Sequence, residues 1–191
     1  FDGFFIFYKY NKVKRYKKLK DSDGIKMEDE LKFLYELGLK KIYKKNLECF
    51  IELHIEQGPI LENIKKSIGI VIGAQGSRGF DIEFNGEDSH SGTTPMINRK
   101  DTVVALSNFI VEFTNESKQL HKDLRSTVGN IVTLPGSRNT VSGKSLITVD
   151  IRHPNPIILN KIEEVIKLIC KRIKLKFKIN KIIQKKYILP T

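Results

Sequence analysis

Two short runs hold most of the side chains able to do chemistry. The first, Glu52-Leu53-His54-Ile55-Glu56-Gln57-Gly58-Pro59, sets a histidine, two acids and an amide within six residues, ahead of a Gly-Pro stop. Cys49, Phe50 and Ile51 precede it, so the polar cluster ends an element that the core must hold, with rigid scaffold behind and open space in front. In an alternating strand Glu52 and Glu56 share the side of His54. Imidazole with carboxylate suits zinc, manganese, cobalt or nickel. The same residues also read as a structural histidine at a solvated strand end.

The second run is Ser89-His90-Ser91-Gly92-Thr93-Thr94-Pro95-Met96. A loop this small and polar holds a side chain out rather than burying it. From there His90 can donate a hydrogen bond to an oxyanion as a carbonyl is attacked; alternatively the loop only caps the helix that follows. Asn139 lies in the Pro-Gly-Ser-Arg-Asn turn between two strands, and Arg152 closes the second of them. An arginine at a strand end can clamp a carboxylate in a bidentate fork, or pair on the surface with Asp150. His121, in a Lys-rich connection, and His153, before Pro154, have weaker claims. The run Gly73-Ala74-Gln75-Gly76 lacks the lysine and spacing of a phosphate loop.

The elements that position these residues follow from periodicity. Apolar positions predict a helix over 27–37 with acids in its first turn, a strand or short helix over 47–55, and a strand over 68–72. From 79 onward the pattern is clearer. Phe80, Ile82 and Phe84 alternate as in a half-buried strand, and 101–113 is an amphipathic helix. Strands are expected over 127–134 and 146–151, joined by a turn at Pro135-Gly136. Asn155 and Pro156 open a second helix, and Ile173 to Ile179 alternate as a last strand. The order strand, helix, strand, strand, helix, strand is the ferredoxin-like split βαβ arrangement, an α/β (α+β) class.

At 191 residues the chain holds one large or two small domains. No apolar run approaches the roughly 20 residues of a membrane helix, and the aromatic start lacks the basic leader of a secretory signal. Cys49 and Cys170 form no metal-type pair and read as buried free thiols of a reducing, cytoplasmic compartment. The net charge of +12 comes from lysines at the two ends, whereas the middle that carries the motifs is near balance. That distribution fits a compositional bias better than a nucleic-acid footprint, and no nucleic-acid-binding signature accompanies it.

Taken together, Asp21-Ser22-Asp23-Gly24, Glu52 to Pro59 with Leu61-Glu62, His90 to Met96 with Arg99 and Asp101, Asn139 and Arg152 resemble the metal-dependent amidohydrolases that include N-carbamoyl-L-amino-acid hydrolases and allantoate amidohydrolases. The resemblance implies a two-metal hydrolase (Zn, Mn, Co or Ni) acting on linear C–N bonds, homodimeric through a ferredoxin-like lid. It implies a partial catalytic domain over 1–76, with 1–24 a poorly matched lead-in, a lid over 77–180 and a return to the catalytic domain from 181. His54 is then a metal ligand, and Gln57 lines the substrate pocket. His90 is the lid histidine that crosses to a partner subunit and polarises the scissile carbonyl. Asn139 and Arg152 hold the carboxylate of a small-molecule substrate.

The sequence also departs from that family. Its His-x-Asp pair, bridging Asp and Glu-Glu pair are not found before His54, its last metal-binding histidine is not found after the lid, and Ser142 stands where many relatives carry proline. The expectation is a fragment or decayed copy, inactive alone. The rivals are a non-catalytic dimerisation remnant and a basic nucleic-acid-binding module.

Overall fold

The computed structural model describes residues 19–21, 23–37 and 51–185. The chain divides into two compact units, Phe1–Gln57 and Gly58–Thr191, each taken by itself. In the first, Asp21 Oδ1 accepts the N–H groups of Asp23 and Ile25, both at 2.9 Å, and Gly24 adopts a φ of 82°. This aspartate-closed turn leads into α1 (Met27–Glu36), whose first turn holds Glu28, Asp29 and Glu30 at the positive end of the helix dipole. Residues 51–57 have no regular structure, and Leu53 is 101% exposed. The strand or helix expected over 47–55 is thus corrected for 51–55, while 47–50, with Cys49, lie outside the described residues. Apolar side chains favour a strand only where neighbouring strands complete its ladder, and none pairs with this segment among the described residues.

The second unit opens with α2 (Ile60–Asn63). The strand expected over 68–72 is also absent: the segment is irregular, and Ile70 is 88% exposed. β-Branched residues without a pairing partner explain this as they do 51–55. The main elements follow as β1 (Gly76–Asn85), β2 (Ser89–His90), a 3₁₀ turn (Met96–Asn98), α3 (Thr102–Leu120), β3 (Arg125–Leu134), β4 (Thr140–Val141), β5 (Lys144–His153), α4 (Pro156–Arg172) and β6 (Lys176–Lys185). Four strands make one antiparallel sheet in the order β3-β5-β1-β6, and β2 and β4 form a separate two-stranded ribbon. The architecture is mixed α/β on an antiparallel sheet. Its long elements come in the sequence strand, helix, strand, strand, helix, strand.

Alternation decides which face is buried. Phe80, Ile82 and Phe84 on β1 and Ile147, Val149 and Ile151 on β5 point to one face, under both helices. There Phe109 of α3 stacks on Phe113 at 5.6 Å and tilts against Phe84 at 5.9 Å. The helices start where cap chemistry dictates. Asp101 Oδ1 accepts from Val103 N and Val104 N, and Asn155 Oδ1 accepts from Ile157 N ahead of a proline in the first turn. Glu112 and Arg172 pair between α3 and α4.

A partly buried charge cluster sits where β1, α4 and β6 meet. Glu163 takes Lys181 at 2.7 Å and Lys167 at 3.4 Å, with Arg78 Nε 3.9 Å away. Burial alone would raise the Glu163 carboxyl, but the two lysines outweigh it and hold it below the ordinary carboxylate range. At the opposite end of β1 two glycines mark backbone crossings. A Cβ on Gly86 would lie 1.9 Å from Lys100 O, and one on Gly143 would lie 2.6 Å from Asp88 N. Here the ribbon leaves the sheet.

Candidate functional site

The ribbon brings two of the expected site residues together. His90 on β2 lies opposite Thr140 on β4, and Ser91 N donates to Asn139 O at 2.9 Å. His90 and Asn139 therefore share one end of the unit although they stand 49 positions apart in sequence. The loop after His90 closes on itself, with Thr94 N donating to His90 O at 3.0 Å and Gly92 N donating to His90 Nδ1 at 3.0 Å. A ring nitrogen that accepts from an amide carries no proton, so the neutral ring bears its proton on Nε2. Among the described residues no group meets Nε2, and the side chain is exposed. His90 is thus an outward-facing N–H donor on a fixed ribbon.

Asn139 Oδ1 accepts from Ser137 Oγ at 2.8 Å and Thr140 Oγ1 at 3.5 Å. Its oxygen is occupied from within the turn, which leaves the amide N–H₂ as the outward donor. The root of the ribbon is pinned to α3. Thr102 Oγ1 lies 2.9 Å from Ser142 O, 3.0 Å from Ser142 Oγ and 2.8 Å from Ser145 Oγ, all buried. Ser142 Oγ in turn lies 2.7 Å from Leu134 O, and Gly143 N donates to Asp88 Oδ1 at 2.6 Å. The hydroxyl of Ser142 thereby has a definite task at the turn.

Arg152 is at the other end of the sheet. It faces Ser77 and Arg125 across the ladder, whereas the ribbon emerges beyond the Asn85–Lys144 pair. From Lys144 to Arg152 the strand runs about 26 Å at ~3.3 Å per residue. Its Nε donates to Asp150 Oδ2 at 2.7 Å, the surface pair that the sequence offered as the alternative to a carboxylate clamp, and the side chain is 60% exposed. One copy of the unit does not bring Arg152 to His90 and Asn139.

His54 and Gln57 belong to the first unit. His54 is exposed with Nδ1 2.6 Å from Ile55 O, and Gln57 adopts a left-handed φ of 54°. With Nδ1 held by that carbonyl as N–H donor, Nε2 is left to accept or to bind a metal. Among the described residues no three His, Cys, Asp or Glu side chains converge. They do not make a metal site on their own, and His54 is one candidate ligand.

Periodicity did not single out Gly92 and Arg99 for a role. The Gly92 N–H holds the His90 ring, and Arg99 grips the loop between them, donating from Nη2 to Ser91 O at 2.6 Å and from Nε to Thr94 O at 3.0 Å. A usable sequence signal was an arginine a few residues after a loop too small to order itself. The weak histidine candidates form a pair of their own. His153, 3% exposed, accepts from Asn155 N on Nδ1 and approaches His121 Nδ1 through Nε2 at 3.1 Å. Because Nε2 carries the proton, this is a hydrogen bond rather than a ligand pair. No helix among the described residues is long and apolar enough to cross a membrane.

Proteins similar to this chain in sequence and in structure bear the names of amidohydrolases and amidases. No family model matches the chain. It is 37% identical over 131 residues to allantoate amidohydrolase of Escherichia coli (strain K12), covering 66% of this chain and 32% of that protein. It is 34% identical over 158 residues to N-carbamoyl-L-amino-acid amidohydrolase of Rhizobium meliloti, covering 81% and 38%. Among solved structures, an amidase of the hydantoinase/carbamoylase family from Burkholderia vietnamiensis superposes with a TM-score of 0.76 at 33% identity, over 93% of this chain and 44% of that one. The chain belongs to this amidohydrolase family, and spans about a third of the length of the two curated relatives.

Proposed function

We propose that the chain is part of a hydrolase of linear C–N bonds of the N-carbamoyl-L-amino-acid or allantoate type, with residues 77–180 its ferredoxin-like lid. The observation that carries this reading is the His90 ring, fixed as a donor by Gly92 on a ribbon that also presents Asn139, in a chain homologous to such enzymes. His90 Nε2–H donates to the carbonyl oxygen of the scissile group as negative charge builds there. A donor aimed at that oxygen contributes most in the transition state, because its orientation is set beforehand. The Asn139 amide and the Arg152 guanidinium bind the carboxylate of the substrate, and Gln57 lines its pocket. His54, together with further ligands, would hold a divalent metal pair, whose chemistry when bound would be to lower the pKa of a water near the scissile carbon. Among the described residues no three His, Cys, Asp or Glu side chains converge around it.

The separation of Arg152 from His90 and Asn139 supports a site shared between two copies of the chain. In a two-fold dimer each site takes His90 and Asn139 from one copy and Arg152 from the other. β3 supports a route to that dimer, because it is an edge strand of ten residues with Ile131, Val132 and Leu134 exposed. Mixing separately inactive His90→Ala and Arg152→Ala forms of the full protein tests the arrangement. Random reassociation gives half heterodimers, each with one intact site, so about a quarter of wild-type turnover of an N-carbamoyl-L-amino acid or allantoate is expected. No recovery after subunit exchange refutes the shared site, and no turnover of either substrate by the wild-type protein refutes the hydrolase.

A further inference from the structure

We infer that Arg99 is a positioning residue for His90, acting through the 91–94 loop and the Gly92 N–H to fix which ring nitrogen faces the substrate. The inference rests on the reading of His90 as an N–H donor and adds the device that makes it one. The loop is Ser-Gly-Thr-Thr, which has no apolar side chain to pack and one glycine free to move. Left to itself such a turn samples many conformations, and few of them aim an amide at a neighbouring ring. Arg99 removes that freedom. Its Nη2 donates to Ser91 O at 2.6 Å and its Nε to Thr94 O at 3.0 Å, so one rigid planar group spans the loop from first residue to last. Both are charge-assisted bonds to carbonyls, stronger than neutral ones.

The residue spanned is Gly92, which approaches the ring closely. A Cβ there would lie 3.2 Å from His90 Cε1 and 3.4 Å from Nδ1. Loop and ring are therefore in contact, and any shift of the loop changes what Nδ1 accepts. Arg99 is half-buried and sits two residues before Asp101, the N-cap of α3, so the brace directly precedes the helix that covers the sheet. Lysine at 99 keeps the charge, but a single ammonium lacks the planar fork that spans two fixed carbonyls.

The test reads the ring directly. The full chain, ¹⁵N-labelled and held at pH 8, gives long-range ¹H–¹⁵N spectra of its four histidine rings, with His90 assigned by its loss in His90→Gln. In the wild type His90 is expected as the Nε2–H tautomer with a slowly exchanging Gly92 amide. In Arg99→Gln the share of the Nδ1–H form should rise about fivefold, the equilibrium worth of one net hydrogen bond, and Gly92 exchange should quicken. Arg99→Lys should fall between, and it also serves if Arg99→Gln fails to fold, as judged by the Ile147 and Ile166 amides. An Nδ1–H ring in the wild type, or an unchanged ring spectrum in the folded variants, overturns the inference. A ring spectrum tests the brace whether or not hydrolysis occurs, whereas turnover tests the hydrolase reading, so the two failures are distinguishable.

Discussion

Thr102→Val should destabilise the 58–191 unit by about 2 kcal/mol, and most of that cost belongs to a group that is not mutated. Thr102 is fully buried, and valine has nearly its shape, so little packing is lost. The loss falls on Ser145 Oγ, 2.8 Å from the threonine hydroxyl, wholly buried and without another partner among the described residues. A buried hydroxyl left unsatisfied costs about 1–3 kcal/mol. Ser142 O loses less, because Thr102 N still donates to it at 3.0 Å. With a urea m-value of about 2 kcal/mol/M, the unfolding midpoint should fall by about 1 M. The sharper assay is the double-mutant cycle with Ser145→Ala. If the pair is satisfied mutually, the double variant should cost about 1 kcal/mol less than the two single losses summed, since removing both partners leaves no orphan. A shift below about 0.25 M for Thr102→Val, or strict additivity in the cycle, refutes the reasoning.

Phe109→Ala, which empties the centre of the aromatic stack between α3 and β1, should cost about 3–5 kcal/mol by the same urea measurement. Glu163 has a carboxyl held below its ordinary range, so its contribution is full above the unfolded value and is lost as pH falls through the folded one. Glu163→Gln should therefore lower stability at pH 7 and flatten the acid limb of a stability–pH profile below about pH 4.5. Burial pushes the Cys170 thiol up to about 12. In a Cys49→Ser background, a disulfide reagent at pH 8 should label it only on unfolding. Arg152→Ala in the full protein should raise KM for carboxylate-bearing substrates far more than for analogues lacking the carboxylate, and equal losses for both would end the clamp role.

What the sequence made legible was local chemistry. Asp101, and Asn155 followed by Pro156, announce two helix starts, and both helices begin there. The alternation of Phe80, Ile82 and Phe84 identifies the buried face of β1, although Ser77 and Arg78, polar yet buried, the latter beside Glu163, hide the start of that strand. Arg152 and Asp150 stand two apart on one strand, hence on one face, and their pairing was readable. The runs at 51–55 and 68–72 misled because β-propensity reports fitness for a sheet and says nothing of whether partners are present. The meeting of His90 with Asn139 could not be read, because it depends on a two-residue ladder and one amide bond across 49 positions. The lid, dimer and metal readings came from the family motifs and stand as proposals.

The crossings at Gly86 and Gly143 have a consequence for how this ribbon can be altered. With a Cβ at 86 falling 1.9 Å from the Lys100 carbonyl oxygen, the two chains pass with no clearance. The direction in which the ribbon departs is therefore set in part by backbone contact, in addition to the side-chain bonds at its root. Substitution at its root has no graded series to offer, since the smallest possible addition already collides. Re-aiming the histidine, by selection or by an engineer, has more room in the exposed segment after it, where a Cβ on Gly92 would meet the ring at 3.2 Å and not backbone.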